Sequence, residues 1–170
     1  QSKDALAKTK AGAWEYDILS PAYKCNMTDV QAAIGLVQLK RYPELLAKRR
    51  QLIRLYDQGI KRINEKLKEF ECRSLVHYDG ENCSSGHLYL LRILGCTLGE
   101  RNLLIERMAE QGVAANVHYK PLPMLTAYKN MGFDIKDFPR AFHVFENEIS
   151  LPLHTLLKEK EVDYVLGVLE

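Results

Sequence analysis

The feature that most constrains this chain is a long helical pattern running from Thr28 to about residue 69. Thr28 and Gln31 have capping-box spacing, in which the hydroxyl accepts a first-turn amide and the glutamine reaches back. Ala32, Ala33, Leu36, Val37 and Leu39 follow, all small or aliphatic. A glycine inside a helix costs about 1 kcal/mol against alanine, so Gly35 marks either a close backbone approach or a tolerated position. Pro43 suits the first turn of a helix, and the pattern is therefore read as two helices. In the second, Leu46, Leu52, Ile53, Tyr56, Ile60, Ile63 and Leu67 recur mostly at three- and four-residue steps, which predicts one apolar stripe. Such a stripe needs another layer to bury it.

The rest of the sequence supplies that layer. Residues 80–86 form a loop by composition. His87 to Leu94 predicts a central strand, because Leu88, Leu90, Leu91, Ile93 and Leu94 are apolar on both faces. Thr97 and Glu100 form a second capping box and open a helix through Leu103, Leu104, Met108 and Ala109, with Gly112 as the residue past its end. Val113 to Tyr119 predicts another strand, ended by Pro121 and Pro123, which have no amide to donate. Pro139 starts a helix with Ala141, Phe142, Phe145 and Ile149 inward. A short extended piece, Ser150 to Leu153, precedes a last helix over Thr155 to Leu169, with Val162, Val165, Leu166 and Leu169 on its apolar side. The expected fold is α/β, with helices packed on one face of a small, mostly antiparallel sheet.

Composition excludes several partners. The chain has 170 residues, 46% of them apolar and 27% charged, and a net charge of +2. That balance selects neither nucleic acid nor an anionic membrane, and no apolar run reaches the roughly 20 residues of a bilayer span. Lys48, Arg49, Arg50, Arg54, Lys61 and Arg62 share a helix with interleaved acidic residues and read as a solvated face. The cysteines at 25, 72, 83 and 96 show no CxxC spacing, which predicts free thiols in a reducing, cytoplasmic setting. The five histidines, at 77, 87, 118, 143 and 154, have no ligand spacing, so no metal site is expected. There is no GxSxG, Walker loop, HExxH or GxGxxG. No residue is therefore assigned as catalytic. Gln1 is not a methionine, which suggests a chain that starts inside a longer product.

Two stretches carry more polar chemistry than folding requires. Ala22 to Asp29 is a polar loop entering a helix N-terminus, where amides and Lys24 together could hold a phosphate. Val117-His118-Tyr119-Lys120 puts three functional side chains where a strand gives way to a prolyl segment.

These stretches also carry a resemblance. YKCNMTDVQAAIGLVQL, GVAANVHYKPLP, DFPRAFHVFENEISLPLH and KEVDYVLGVL, in that order, closely resemble four motifs of the DegT/DnrJ/EryC1/StrS family. That family comprises fold-type I, pyridoxal-phosphate-dependent aminotransferases acting on nucleotide-linked keto sugars. The resemblance implies that this chain is the C-terminal small domain, with the cofactor-anchoring lysine upstream of Gln1. Residues 1–27 would be the inter-domain segment and cofactor-facing loop, and residues 28–170 the small domain. Lys24 and Asn26 would face the cofactor phosphate of the other subunit in a homodimer. His118 and Tyr119 would contact the nucleotide sugar, through its diphosphate or its hydroxyls. An amino donor, usually glutamate, would supply the nitrogen. Ala22 replaces the family's usual glycine, and Pro123 its usual histidine. The alternative reading is a non-catalytic binding or dimerisation module derived from the same family.

Overall fold

The computed structural model describes Tyr23 and residues 25–170. The predicted segment 1–22 and Lys24 lie outside the described residues. By contact density the chain divides at Lys40, with a second unit over Arg41–Glu170.

The expected pair of helices is one helix, α1, over Asp29–Lys66 with Pro43 inside it. Proline in a helix removes one amide bond to the preceding turn. Here strong helix formers flank it on both sides, Leu39, Lys40 and Arg41 before and Glu44 to Ala47 after, and the helix runs through. Its start matches the expectation. The Thr28 amide donates to Gln31 Oε1 at 3.0 Å, and the Gln31 amide to Thr28 Oγ1 at 3.3 Å. A Cβ on Gly35 would meet nothing within 4 Å, so no backbone packs closely there among the described residues.

In the second unit, β1 (Glu71–Ser74), β2 (Tyr89–Leu94) and β3 (Glu148–Leu151) form an antiparallel sheet in the order β1-β2-β3. Cys72 pairs with Ile93, and Leu91 with Ile149. β2 is central, as its composition predicts, though it starts two residues later than the apolar run. β1 has no counterpart in the sequence reading, because four residues reading Glu-Cys-Arg-Ser show no apolar alternation. Its backbone is instead held by a side chain. Asn64 accepts from the Cys72 amide at 2.8 Å and donates to the Cys72 carbonyl at 2.7 Å, satisfying an edge residue that would otherwise be unpaired.

The helices α2 (Leu98–Glu110), α3 (Thr126–Asn130), α4 (Pro139–Phe145) and α5 (Glu159–Leu169) complete the fold. The core joins Leu52, Ile53, Tyr56, Ile60 and Ile63 of α1 to Tyr89, Leu91 and Ile93 of β2. Ile149 and Leu151 of β3 and Val162, Val165 and Leu166 of α5 close it. Tyr56 stacks on Tyr89 with ring centroids 4.7 Å apart. Their hydroxyls donate to the Pro152 carbonyl and to Asp57 Oδ1, so two buried phenols keep their hydrogen bonds.

Three further expectations need correction. Ala141 of α4 is exposed, and Ile149 is buried from β3 rather than from that helix. The last helix begins at Glu159, after an irregular stretch, and not at Thr155. The basic side chains of α1 are not uniformly solvated. Arg49 is half-buried and donates to the Gly86 carbonyl at 2.8 Å, while Arg50 reaches Cys83 Sγ and lies over the Tyr78 ring. Both tie the 75–88 loop to the helix.

Candidate functional site

The predicted strand over Val113–Tyr119 reduces to one bridge, between Asn116 and Ser150. Its two backbone bonds measure 3.1 and 2.7 Å. The next amides turn away from the sheet. Val117 donates to the side chain of Asn116 at 2.8 Å, and His118 to Glu148 Oε2 at 3.1 Å. With both amides bonded to side chains, a regular ladder cannot continue, and the segment leaves β3 at His118.

This departure delivers the imidazole to β3. His118 Nδ1 lies 2.7 Å from Ser150 Oγ, and the Ser150 hydroxyl donates to Glu148 Oε1 at 2.7 Å. Glu148 and Ser150 alternate along the strand and so share a face of the sheet. They are 3% and 4% exposed. A carboxylate so deeply buried needs partners for its oxygens, and here the hydroxyl and the His118 amide take one each. Arg101, also buried, donates to the Glu148 carbonyl at 3.2 Å and lies over the Phe145 ring at 4.8 Å. Burial lowers the Arg101 pKa, and the nearby Glu148 works in the opposite direction.

Tyr119 sits at the open end of this arrangement. It is 73% exposed, and its ring meets His118 edge to face at 4.6 Å between centroids. The two predicted substrate contacts therefore differ in setting, His118 anchored to β3 and Tyr119 exposed. Asn26 is exposed and stands two residues before the Thr28 cap of α1. Lys24, its predicted companion, is outside the described residues. No group of three or more His, Cys, Asp or Glu side chains gathers as a metal site among the described residues, and no described helix is long and apolar enough to cross a membrane.

Sequence reasoning missed Glu148 and Ser150. Their signal was an acidic residue and a serine two apart in an otherwise apolar strand. That spacing sets two polar groups on one buried face, where they need a partner.

The family model for DegT/DnrJ/EryC1/StrS aminotransferases matches residues 3–170. The chain belongs to that family. Among curated relatives, the spore coat polysaccharide biosynthesis protein SpsC of Bacillus subtilis is 32% identical, over 91% of this chain and 39% of its own length. The UDP-4-amino-4,6-dideoxy-N-acetyl-beta-L-altrosamine transaminase of Campylobacter jejuni is 28% identical, over 94% of this chain and 40% of its own length. Among solved structures, Streptococcus pneumoniae Spr1654, described as a sugar aminotransferase, matches in its PLP form with TM-score 0.79 and 52% identity. That match covers 94% of this chain and 39% of the other. This member of the DegT/DnrJ/EryC1/StrS family thus spans about two fifths of the length of the relatives it matches. Its α/β fold agrees with theirs, with helices on a small antiparallel sheet.

Proposed function

We propose that this chain is the C-terminal portion of a pyridoxal-phosphate-dependent aminotransferase that moves an amino group, from glutamate, onto a nucleotide-linked keto sugar. The observation that carries the reading is the family match across residues 3–170, supported by a relative whose substrate is a UDP-linked sugar. Within this portion, His118 and Tyr119 contact the nucleotide sugar. His118 is held by two buried side chains and Tyr119 is exposed beside it, which suits a substrate that enters and leaves from solvent.

The loop at Lys24 and Asn26 serves the cofactor's phosphate, across the axis of a cytoplasmic homodimer. The described donors there suit an anion. Asn26 is an exposed carboxamide, and the cap at Thr28 leaves the Asp29 and Val30 amides outside the intrahelical ladder. When bound, the cofactor supplies the electron sink for moving nitrogen between donor and acceptor. The residues of this chain bind and orient the sugar; the anchoring lysine belongs to the portion that precedes Gln1.

Steady-state kinetics of the full-length enzyme test this reading. His118→Ala raises KM for the keto sugar at least tenfold and leaves KM for the amino donor within twofold. An unchanged sugar KM removes His118 from the site. A borohydride-reducible cofactor adduct on the isolated 170 residues contradicts the placement of the anchoring lysine.

A further inference from the structure

The proton count around His118 decides which of its nitrogens faces a ligand. Ser150 has one hydroxyl proton, and it goes to Glu148 Oε1 at 2.7 Å. Nothing remains on that oxygen for Nδ1 of His118, 2.7 Å away. The bond between them exists only if Nδ1 carries the proton and donates. The other Glu148 oxygen is engaged as well, accepting the His118 amide at 3.1 Å. The neutral ring therefore has its lone pair on Nε2. That atom makes no hydrogen bond among the described residues, and it is not one of the buried polar atoms left without a partner. Among the described residues it is unspent, and it is not sealed from solvent.

We infer that Glu148 and Ser150 are positioning residues that hold the ring proton of His118 on Nδ1 and so present Nε2 as an acceptor for a hydroxyl of the sugar. The inference rests on the reading of His118 as a substrate contact and sharpens it. A lone pair pairs with a hydroxyl donor, whereas a phosphate oxygen, which only accepts, needs a donor opposite it. The device resembles the arrangement at metal sites, where a hydrogen bond to one imidazole nitrogen fixes the role of the other. Here the fixing groups are buried on a strand of the sheet while His118 is only partly buried, so the polarity of the contact is set before substrate arrives.

The near-isosteric substitution Glu148→Gln distinguishes this role from simple packing. Its carboxamide oxygen takes over the His118 amide, and its NH2 must then donate to Ser150. The serine proton turns to Nδ1, and the ring proton moves to Nε2. The experiment is 15N NMR of the full-length holoenzyme labelled at histidine nitrogens, with His118 assigned by its loss in His118→Gln. It is paired with steady-state kinetics on the keto sugar. Wild type is expected to carry the proton on Nδ1, and Glu148→Gln on Nε2, with KM for the sugar raised at least tenfold and KM for the amino donor unchanged. Ser150→Ala, which keeps the strand backbone intact, is expected to give a mixture of the two tautomers; Ser150→Thr restores the wild-type spectrum and KM. A wild-type proton on Nε2, or a Glu148→Gln ring still protonated on Nδ1, overturns the relay. If the tautomers behave as stated but His118→Ala leaves the sugar KM unchanged, the substrate reading falls instead.

Discussion

The side chain of Leu166 fills the space that a Cβ on Gly59 would need. Its Cδ2 and Cγ lie 2.6 and 2.9 Å from that position, and both residues are buried where α5 crosses α1. Leu166 belongs to the buried core, so moving it aside for a new methyl disturbs packing already made. Overpacking costs about 1–3 kcal/mol, and alanine regains about 1 kcal/mol of helix propensity. Gly59→Ala is therefore expected to lose about 1 kcal/mol net, read as a lower urea midpoint at unchanged slope. Adding Leu166→Ala should make the pair strongly non-additive, because the clash disappears with the leucine. Additive losses would show that the two residues do not meet.

The N-terminus of α2 depends on a reciprocal pair. The Thr97 amide donates to Glu100 Oε2 at 2.7 Å, and the Glu100 amide to Thr97 Oγ1 at 3.3 Å. The Thr97 amide, together with the Thr97 hydroxyl donating to Glu100 Oε2 at 2.8 Å, holds the Glu100 carboxyl below its ordinary pKa. Thr97→Ala is expected to destabilise the fold by about 1 kcal/mol, and Thr97→Ser by much less. Chemical denaturation of both variants checks this, and equal losses would point to packing of the threonine methyl instead.

His77 makes the fold sensitive to acid. It is 6% exposed, neither ring nitrogen has a partner among the described residues, and the ring stacks on Tyr89 at 5.9 Å. Burial pushes its pKa below the ordinary 6.5, with Asp57 opposing. The unfolded chain therefore takes up this proton at a higher pH than the folded one does. The contribution of a neutral His77 is fully present above about pH 6.5 and is lost as pH falls through and below that value. His77→Phe keeps an aromatic ring against Tyr89 and cannot protonate. Its stability should fall less than that of the wild type between pH 7 and pH 5. Parallel slopes in denaturation midpoints across that range would count against it.

The four cysteines divide by burial. Cys25 and Cys83 are exposed; Cys72 and Cys96 are buried. Burial pushes the Cys72 thiol up to about 11 and raises Cys96 as well, which leaves little thiolate on either. Thiol-reactive labelling of the native protein at pH 7.5–8 (roughly the range in which an ordinary thiol is partly ionised) should modify Cys25 and Cys83 first. Cys72 and Cys96 should react only after unfolding. Peptide mass mapping reads the order, and early modification of Cys72 would contradict the packing of β1.

What the sequence determined by itself is local or carried by order. Both capping boxes, the glycine after α2, the apolar stripe of α1 and the central strand follow from neighbours a few residues apart, where sterics and short hydrogen bonds decide. The four motifs, in order, pointed to the family. Tertiary structure decided what depends on distant partners. Pro43 stays inside one helix because its flanks outweigh a single lost bond. Gly59 and Gly86, not Gly35, are glycines whose missing Cβ leaves room for a neighbouring side chain. β1 exists because Asn64 and β2 satisfy its backbone. Glu148 and Ser150 came to hold His118 only when the chain brought it beside them from about 30 residues away, within 2.7 Å of Ser150. One-dimensional spacing could not register that contact, since a hydrogen bond of that length depends on how the backbone folds back and not on which residues are near in sequence.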